Sequence, residues 1–390
     1  MKNRGIDVFY CWVTIMMLLS CSESEPNIGH SGGKELLISP DKEQRILLSD
    51  LITDFRLVFL ETDSNSIFGQ IDKIRFHDST YFVLDKNTSK SLLLFNAEGR
   101  YVNRIGAGKN GTDEIFRFNS FALDTAEKHI IIDDNHKQLK TFDYKGNMVS
   151  ARDLNLISKD FELLKDGSMV FSSSKFVNYQ NGEERAYELW VETEVDSFRR
   201  YLPFDIELFP NGSEHPDIYS QFSSYQNKLF FYYPLNDIIF EIENGVPVPA
   251  YHINFGPKGN STQLSKLQGQ EVFEFFIDDP DNAFMVQNFV EIENVIKFDY
   301  FIGNRLHSAI INKQTGEVST GKIVNDLFGV DLIIRYGVGS KLIAFVNPVD
   351  LFLLLQDETN VTKPWYEKLH SLFDEDDYEG NMCLVELTVH

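Results

Sequence analysis

The residues of this 390-residue chain best suited to polar chemistry stand where short apolar runs give way to turns. Asp85 closes Tyr81-Phe82-Val83-Leu84-Asp85 and leads into Lys86 and Asn87. Asp133 closes Ile130-Ile131-Ile132-Asp133 and is followed, after Asp134, by Asn135 and His136. Glu114 ends the glycine-bearing stretch that begins at Gly106. Carboxylates and amides in such turns can hydrogen-bond a ligand, and His136 adds a group that titrates near neutrality. Asp and Asn are also turn formers whose side chains bond their own backbone. For each residue taken singly the turn-forming role is the ordinary one, and only a cluster facing one cavity would make them a site.

Other chemistries leave little trace. Nine histidines are scattered with no close pair at zinc-binding spacing, so no metal site is expected. The acidic runs Asp374-Glu375-Asp376-Asp377 and Asp278-Asp279-Pro280-Asp281 lack the glycine-containing order of an EF-hand loop. No cofactor is expected, with calcium left open because oxygen ligands are plentiful. No nucleophile elbow, P-loop or dinucleotide fingerprint occurs in a strand-turn-helix setting. A formal charge of -23, uninterrupted by any Lys/Arg stripe, repels polyanions and excludes nucleic acid as a partner.

The elements that must hold these turns are strands. Hydrophobic residues make up 43% of the chain, enough for a large core, and its 33 Phe and 16 Tyr suit pleated surfaces. From Phe55 onward one phrase repeats: strand, polar turn, strand, polar turn, strand. The first copy runs through Ile71-Asp72-Lys73-Ile74, Tyr81 to Asp85, Ser91-Leu92-Leu93-Leu94-Phe95 and Tyr101-Val102-Asn103-Arg104-Ile105-Gly106, four strands with tight turns. The second begins at Phe121-Ala122-Leu123-Asp124 and aligns Asp133 with Asp85. Looser copies centre on Met169-Val170-Phe171, Leu229-Phe230-Phe231, Ile296-Lys297-Phe298 and Leu342-Ile343-Ala344. Six units at a spacing of roughly 40 to 65 residues predict a propeller with insertions in its later blades. The run Arg56-Leu57-Val58-Phe59-Leu60 and the terminal Leu384-Val385-Glu386-Leu387-Thr388-Val389 are placed to share one blade and close the ring, which removes open sheet edges. Residues 263–276 and 365–373 have helical spacing and are expected as short insertions on the rim.

At the start of the chain, Lys2 and Arg4 precede an apolar run of about a dozen residues, a signal-peptide layout too short to span a bilayer. The junction Leu18-Leu19-Ser20-Cys21 resembles the bacterial lipobox, which implies cleavage before Cys21 and acylation of its thiol. The following Ser22-Glu23-Ser24-Glu25 resembles an acidic export signal of surface lipoproteins. Residues 26–43, rich in glycine and proline, read as a linker. Of the three cysteines, Cys11 lies in the leader and Cys383 in an apolar run that places it in the core, so no intramolecular disulfide is available.

The phrase Ile132-Asp133-Asp134-Asn135-His136 through Phe142-Asp143 resembles the NHL-repeat propeller signature. Leu47-Leu48-Ser49-Asp50, Leu57 to Thr62, and Arg104 to Glu114 are similar to segments of the six-bladed β-propeller lipoproteins of gut bacteria, although Thr112 and Asp113 stand where that family shows Pro and Gly. The resemblance covers most of the mature chain. The expected protein is therefore all-β, with a signal peptide over 1–20, a lipidated tether over 21–43 and a six-bladed β-propeller over 44–390. It implies an outer-membrane, lipid-anchored and surface-exposed protein that acts as a binding or scaffold module for a peptide, glycan or partner protein. The alternative is an extracytoplasmic lyase or hydrolase with a carboxylate-lined, calcium-dependent channel. The ligand face is expected at the turns after each second strand, where Asp85, Asn87, Glu114, Asp133, Asn135 and His136 fall.

Overall fold

The computed structural model describes residues 32–41, 43–106, 115–135, 137–180, 182–207, 220–259, 267, 271, 274–275, 281–373 and 379–390. Its strands form a six-bladed β-propeller. Blade one is β4 (Lys73–His77), β5 (Thr80–Asp85), β6 (Ser91–Asn96) and β7 (Tyr101–Gly106). Blade two is β8 (Phe118–Asp124), β9 (His129–Asp134), β10 (Gln138–Asp143) and β11 (Met148–Asp153). Blade three is β12 (Asp160–Leu163), β13 (Met169–Ser172), β16 (Tyr187–Glu194) and β17 (Ser197–Pro203), with the hairpin β14 (Asn178–Gln180) and β15 (Glu183–Arg185) inserted.

Blade four is β18 (Phe222–Tyr225), β19 (Lys228–Phe231), β20 (Ile238–Glu243) and β21 (Val246–Asn254). Blade five is β22 (Ala283–Glu291), β23 (Val295–Ile302), β24 (Arg305–Asn312) and β25 (Val318–Val324). Blade six takes β26 (Ile333–Val338), β27 (Lys341–Val346) and β28 (Cys383–Val389) from the end of the chain and β3 (Ile52–Phe59) from its beginning. There β28 and β3 run antiparallel, with Cys383 opposite Phe59 and Leu387 opposite Phe55. The closure expected from the two terminal apolar runs is present.

Each of the six apolar runs that marked a repeat is the second strand of its blade. Such a strand is paired on both edges and covered on both faces, so it carries the densest apolar run of its unit. Alternate residues serve alternate neighbours. In β5, Phe82 and Leu84 pack with Phe121, Ile130 and Ile132 of blade two, whereas Tyr81 and Val83 pack with Phe345 and Leu384 of blade six. In β27, Leu342 and Ala344 face Val290 and Val295 of blade five, and Ile343 and Phe345 face blade one. Comparable clusters join blades two and three, three and four, and four and five, so every blade interface is apolar.

Three features differ from what the sequence suggested. Asp85 corresponds to Asp134, not to Asp133. Ile130 and Ile132 share the blade-one side of β9, so Asp134 points that way and Asp133 points toward blade three. A one-residue slip exchanges the two faces of a strand, and two adjacent aspartates fit either register. The segment 26–43 is not linker throughout: β1 (Lys34–Leu37) adds a parallel fifth strand to β21, with Leu36 buried in the cluster between blades four and five. β2 (Arg45–Leu47) does the same to β25. Strands of three or four residues lack the length for a visible alternation. Finally, the loop from β27 to β28 holds two helices, α1 (Pro348–Gln356) and α2 (Tyr366–Leu372). The second was expected and the first was not. Most of the other expected helix, over 263–276, lies outside the described residues, as do Cys21, Glu114 and His136.

Leu384 is fully buried where blade six meets blade one. Leu384→Ala should lower the unfolding free energy by about 2–5 kcal/mol in denaturant melts, with the ring still unfolding in one transition.

Candidate functional site

The first strand of each blade lies against the central channel, and its sequence decides what meets there. Lys73, the first residue of β4, has an apolar neighbour in Ile74 yet is only 2% exposed. Its ammonium donates to the Asp160 carboxylate at 2.8 Å, to Ser120 Oγ at 3.0 Å and to the Phe161 carbonyl at 3.1 Å. It also lies 2.9 Å from a Glu162 carboxylate oxygen and 5.6 Å from the centre of the Phe121 ring. Asp160 in turn accepts from Ser120 Oγ at 2.6 Å, from Ser220 Oγ at 2.9 Å and from the Gln221 backbone at 3.2 Å. Arg75, one pleat along β4 from Lys73, pairs with Glu162, one pleat along β12 from Asp160. Side chains of four successive blades thus meet in one buried network.

Burial alone would push the Asp160 carboxyl upward, but Lys73, Ser120 and Arg75 overcome it and hold the group well below the usual carboxylate range. Asp160 is therefore a fixed anion. The charged members come from blades one and three, and blades two and four contribute hydroxyls. With Asp160 and Glu162 both engaged by cations, the network supplies a rigid centre rather than a proton acceptor poised for chemistry.

Beyond this network the channel widens into a cavity of about 1040 Å³. Arg75, Glu162 and Ser220 line it next to the buried Lys73–Asp160 pair, together with Tyr232 and Tyr336. All six blades contribute, through the far ends of their first strands and the turns that follow: His77, Asp124, Asp166, Tyr225, Glu293 and Ser340 are one from each. The Tyr232 and Tyr336 hydroxyls are held protonated by burial, and that of Tyr336 donates to the Asp72 carbonyl at 3.1 Å.

The cavity opens on the end of the ring opposite to the expected ligand face. Asp85 is completely buried, and its carboxylate accepts from the backbone N–H groups of Gly69 (2.8 Å), Asn87 (3.1 Å), Thr88 (2.9 Å) and Ser89 (2.9 Å). It fastens the turn after β5 to the irregular segment that leads into β4. A side chain at Gly69 would not fit, since a Cβ there would lie 2.3 Å from Thr88 Oγ1. Asn87 is exposed at that turn. Asn135 is exposed too, and its side chain accepts from Asn119 at 3.3 Å. Asp133 is 2% exposed and accepts from Ser158 Oγ and Asn119. Burial pushes its carboxyl up to about 6 against those hydrogen bonds. The four described candidates hold turns and blade contacts at one end, while the cavity lies at the other.

The residues of the network behind the cavity left little trace in the sequence. Lys73 lies in the strand segment Ile71-Asp72-Lys73-Ile74, and a lysine in a strand covered on both faces requires a buried anion. That was the available signal. Asp160, Ser120 and Ser220 carried none, because nothing local shows which distant first strands meet. Among the described residues, no group of three or more His, Cys, Asp or Glu is arranged to hold a metal ion.

The sequence profile of a family described as Domain of unknown function (DUF4934) matches residues 37–387. Among solved structures, a Bacteroides fragilis protein assigned as exported superposes with a TM-score of 0.69 at 16% identity, covering 92% of this chain and 99% of its own. A member of the DUF4221 family from Bacteroides vulgatus superposes with a TM-score of 0.46 at 11% identity, covering 87% of this chain and 97% of its own. No curated protein matches the chain. At these identities the first likeness is one of fold.

Lys73→Met should leave Asp160 buried without its cation and cost about 3–5 kcal/mol, and Lys73→Met/Asp160→Asn should recover much of that loss. Equal losses from the double and the summed single changes, in denaturant melts, would mean the pair is not coupled. Asp133 gives a pH signature. Its folded-state value lies above the ordinary carboxylate value, so the folded protein keeps a proton that the unfolded chain releases, and stability falls as pH rises from about 4 to about 6. Over that window Asp133→Asn should gain about 2–3 kcal/mol relative to the parent and hold the gain at higher pH.

Proposed function

The chain belongs to the DUF4934 family, and we propose that it is an exported, lipid-anchored binding module that receives its ligand in the central cavity. The observation that carries the binding role is the blind well itself: a cavity of about 1040 Å³ lined from all six blades and backed by a buried ion-pair network. Concave, pre-formed pockets are where proteins of stable scaffold take small ligands. Binding is favoured over lyase or hydrolase chemistry because Asp160 and Glu162 are engaged by Lys73 and Arg75.

The address rests on the first residues of the chain. A basic start, a short apolar run and the Leu18-Leu19-Ser20-Cys21 junction support export and acylation at Cys21. Several acyl chains anchor a protein stably where one alone binds marginally. The structural relative assigned as exported agrees with that address. Among the described residues no helix is long and apolar enough to cross a membrane. With β1 starting at Lys34, a tether of residues 21–33 extends at most about 45 Å, and the acidic Ser22-Glu23-Ser24-Glu25 favours display at the outer surface of the outer membrane. The ligand is a peptide, glycan or partner segment small enough to enter the well.

Metabolic palmitate labelling should mark the parent and not Cys21→Ala, and protease added to intact cells should cleave the parent. An unlabelled parent would remove the anchor. For the well, Ser223→Trp places a large ring among its lining residues. Soluble oligosaccharides and extended peptides should raise the melting temperature of the parent and not of this variant; equal shifts for both would place binding elsewhere.

A further inference from the structure

We infer that β1 and β2 form an acid-sensitive strap, whose hold on blades four and five loosens when the buried imidazole of His307 takes up a proton. His307 lies on β24, the third strand of blade five, opposite Tyr300 of β23, and is only 2% exposed. The two rings lie 6.0 Å apart. Among the described residues neither Nδ1 nor Nε2 of His307 has a hydrogen-bond partner. Buried polar side chains almost always have one. The site is costly for an imidazole and worse for an imidazolium, which needs two acceptors and a counter-charge.

The strap is fastened around this ring. β1 pairs with the outer edge of blade four and β2 with that of blade five. Between them, the Ile38 backbone donates to the Asn254 carbonyl at 2.8 Å, the Lys258 ammonium to the Pro40 carbonyl at 2.8 Å and the Thr320 hydroxyl to the Ser39 carbonyl at 3.3 Å. Gly321, paired with Ser308 next to His307, approaches the Gln44 carbonyl so closely that a Cβ would lie 2.5 Å from it. Leu36, Ile38 and Ile46 are buried beneath. Strands of four and three residues hold few backbone bonds, which places the strap among the parts of the ring that open at least cost.

The groups around His307 set the sign. Burial is the largest influence and, with Arg305 on the same strand, holds the imidazole below its ordinary value; Asp41 and Glu43 from the strap oppose them and do not prevail. Glu43 is drawn toward Arg305 at 3.7 Å. Tyr300 on β23 is kept neutral by burial, and Lys258, on the turn after blade four, is held by Pro40. The closed strap therefore binds the proton less readily than the open one. Its stability is complete above the ordinary His value of about 6.5 and is lost as pH falls below that. Once released, the strap leaves β3 in blade six as the first fixed strand, and the leading segment lengthens by up to about 45 Å. Asp133 acts on stability with the opposite sign, so melts of the whole ring mix the two and the readout must be local.

Hydrogen exchange of the intact protein, read on peptides covering β1 and β2 and corrected for the intrinsic effect of pH, should accelerate several-fold between about pH 7.5 and about pH 5.5. An open state with an ordinary imidazole sets a ceiling of about tenfold. Peptides from β5 in blade one should show no such change. His307→Gln keeps a polar side chain that does not titrate, and the acceleration should vanish. Asp41→Asn/Glu43→Gln keeps His307 and withdraws two anions, so the onset should move to lower pH, a shift that a merely structural role would not produce. This second variant decides the matter if His307→Gln fails to fold. Acceleration that persists in His307→Gln, an onset unmoved in the double variant, or no acceleration in the parent overturns the inference. Equal acceleration in β5 overturns it too, because the whole ring would then be responding.

Discussion

A propeller blade has two faces and cannot leave either of them in water, so each blade needs a neighbour on both sides and the last must return to the first. That requirement governs this chain. It makes the second strand of each blade apolar along its length, with odd positions serving one neighbour and even positions the other. It also joins β3 to β28, since a ring left open between blades six and one would expose Leu384, Phe345, Val83 and Tyr81 together. Blade six has strands from both ends of the chain, so its seam holds only when the chain is complete and both ends are folded. At roughly 25 cal/mol per Å² of apolar surface removed from water, one such interface is a large share of the stability of a whole domain.

The N-terminal segment extends the same logic outward. Before reaching blade six it lays β1 along blade four and β2 along blade five, covering two outer edges in succession. Outer edges present unpaired backbone groups, and covering them limits pairing with other chains. The segment nearest the proposed anchor is therefore built into the ring over three blades, and the domain sits close to its tether.

At the centre, closure converts sequence separation into contact. Lys73 and Asp160 lie two blades apart yet meet at 2.8 Å, because first strands converge on the axis. An ion pair of this sort gains little over apolar packing in net stability, since desolvation opposes the attraction. Its effect is geometric: it fixes how blades one to four stand around the channel and backs the well with charged groups that are already satisfied. The remaining polar capacity lies farther along the cavity, on carboxylates such as Glu243 and Glu293 and on the Gln226 and Asn227 side chains of a tight turn.

Strand identity, repeat number and ring closure were legible in the residues, because each follows from alternation and apolar density within a single segment. The register of Asp133 and Asp134 was not, since two adjacent aspartates read alike until the packing of Ile130 and Ile132 fixes the side each faces. Nor were β1 and β2, whose pairing comes from edges more than two hundred residues away. The site was the least legible part. Asp85 stood out as a conspicuous polar residue at a turn, and it is one because it ties four backbone N–H groups. Phe76, Tyr225 and Gln226 are unremarked in sequence and share one cavity only because six first strands run side by side around an axis. Sequence by itself determined which long segments are strands, how many repeats they form and that the two terminal runs share a blade; the tertiary ring decided which short segments add to outer edges and which polar residues meet, since that depends on distances between blades that no local pattern encodes.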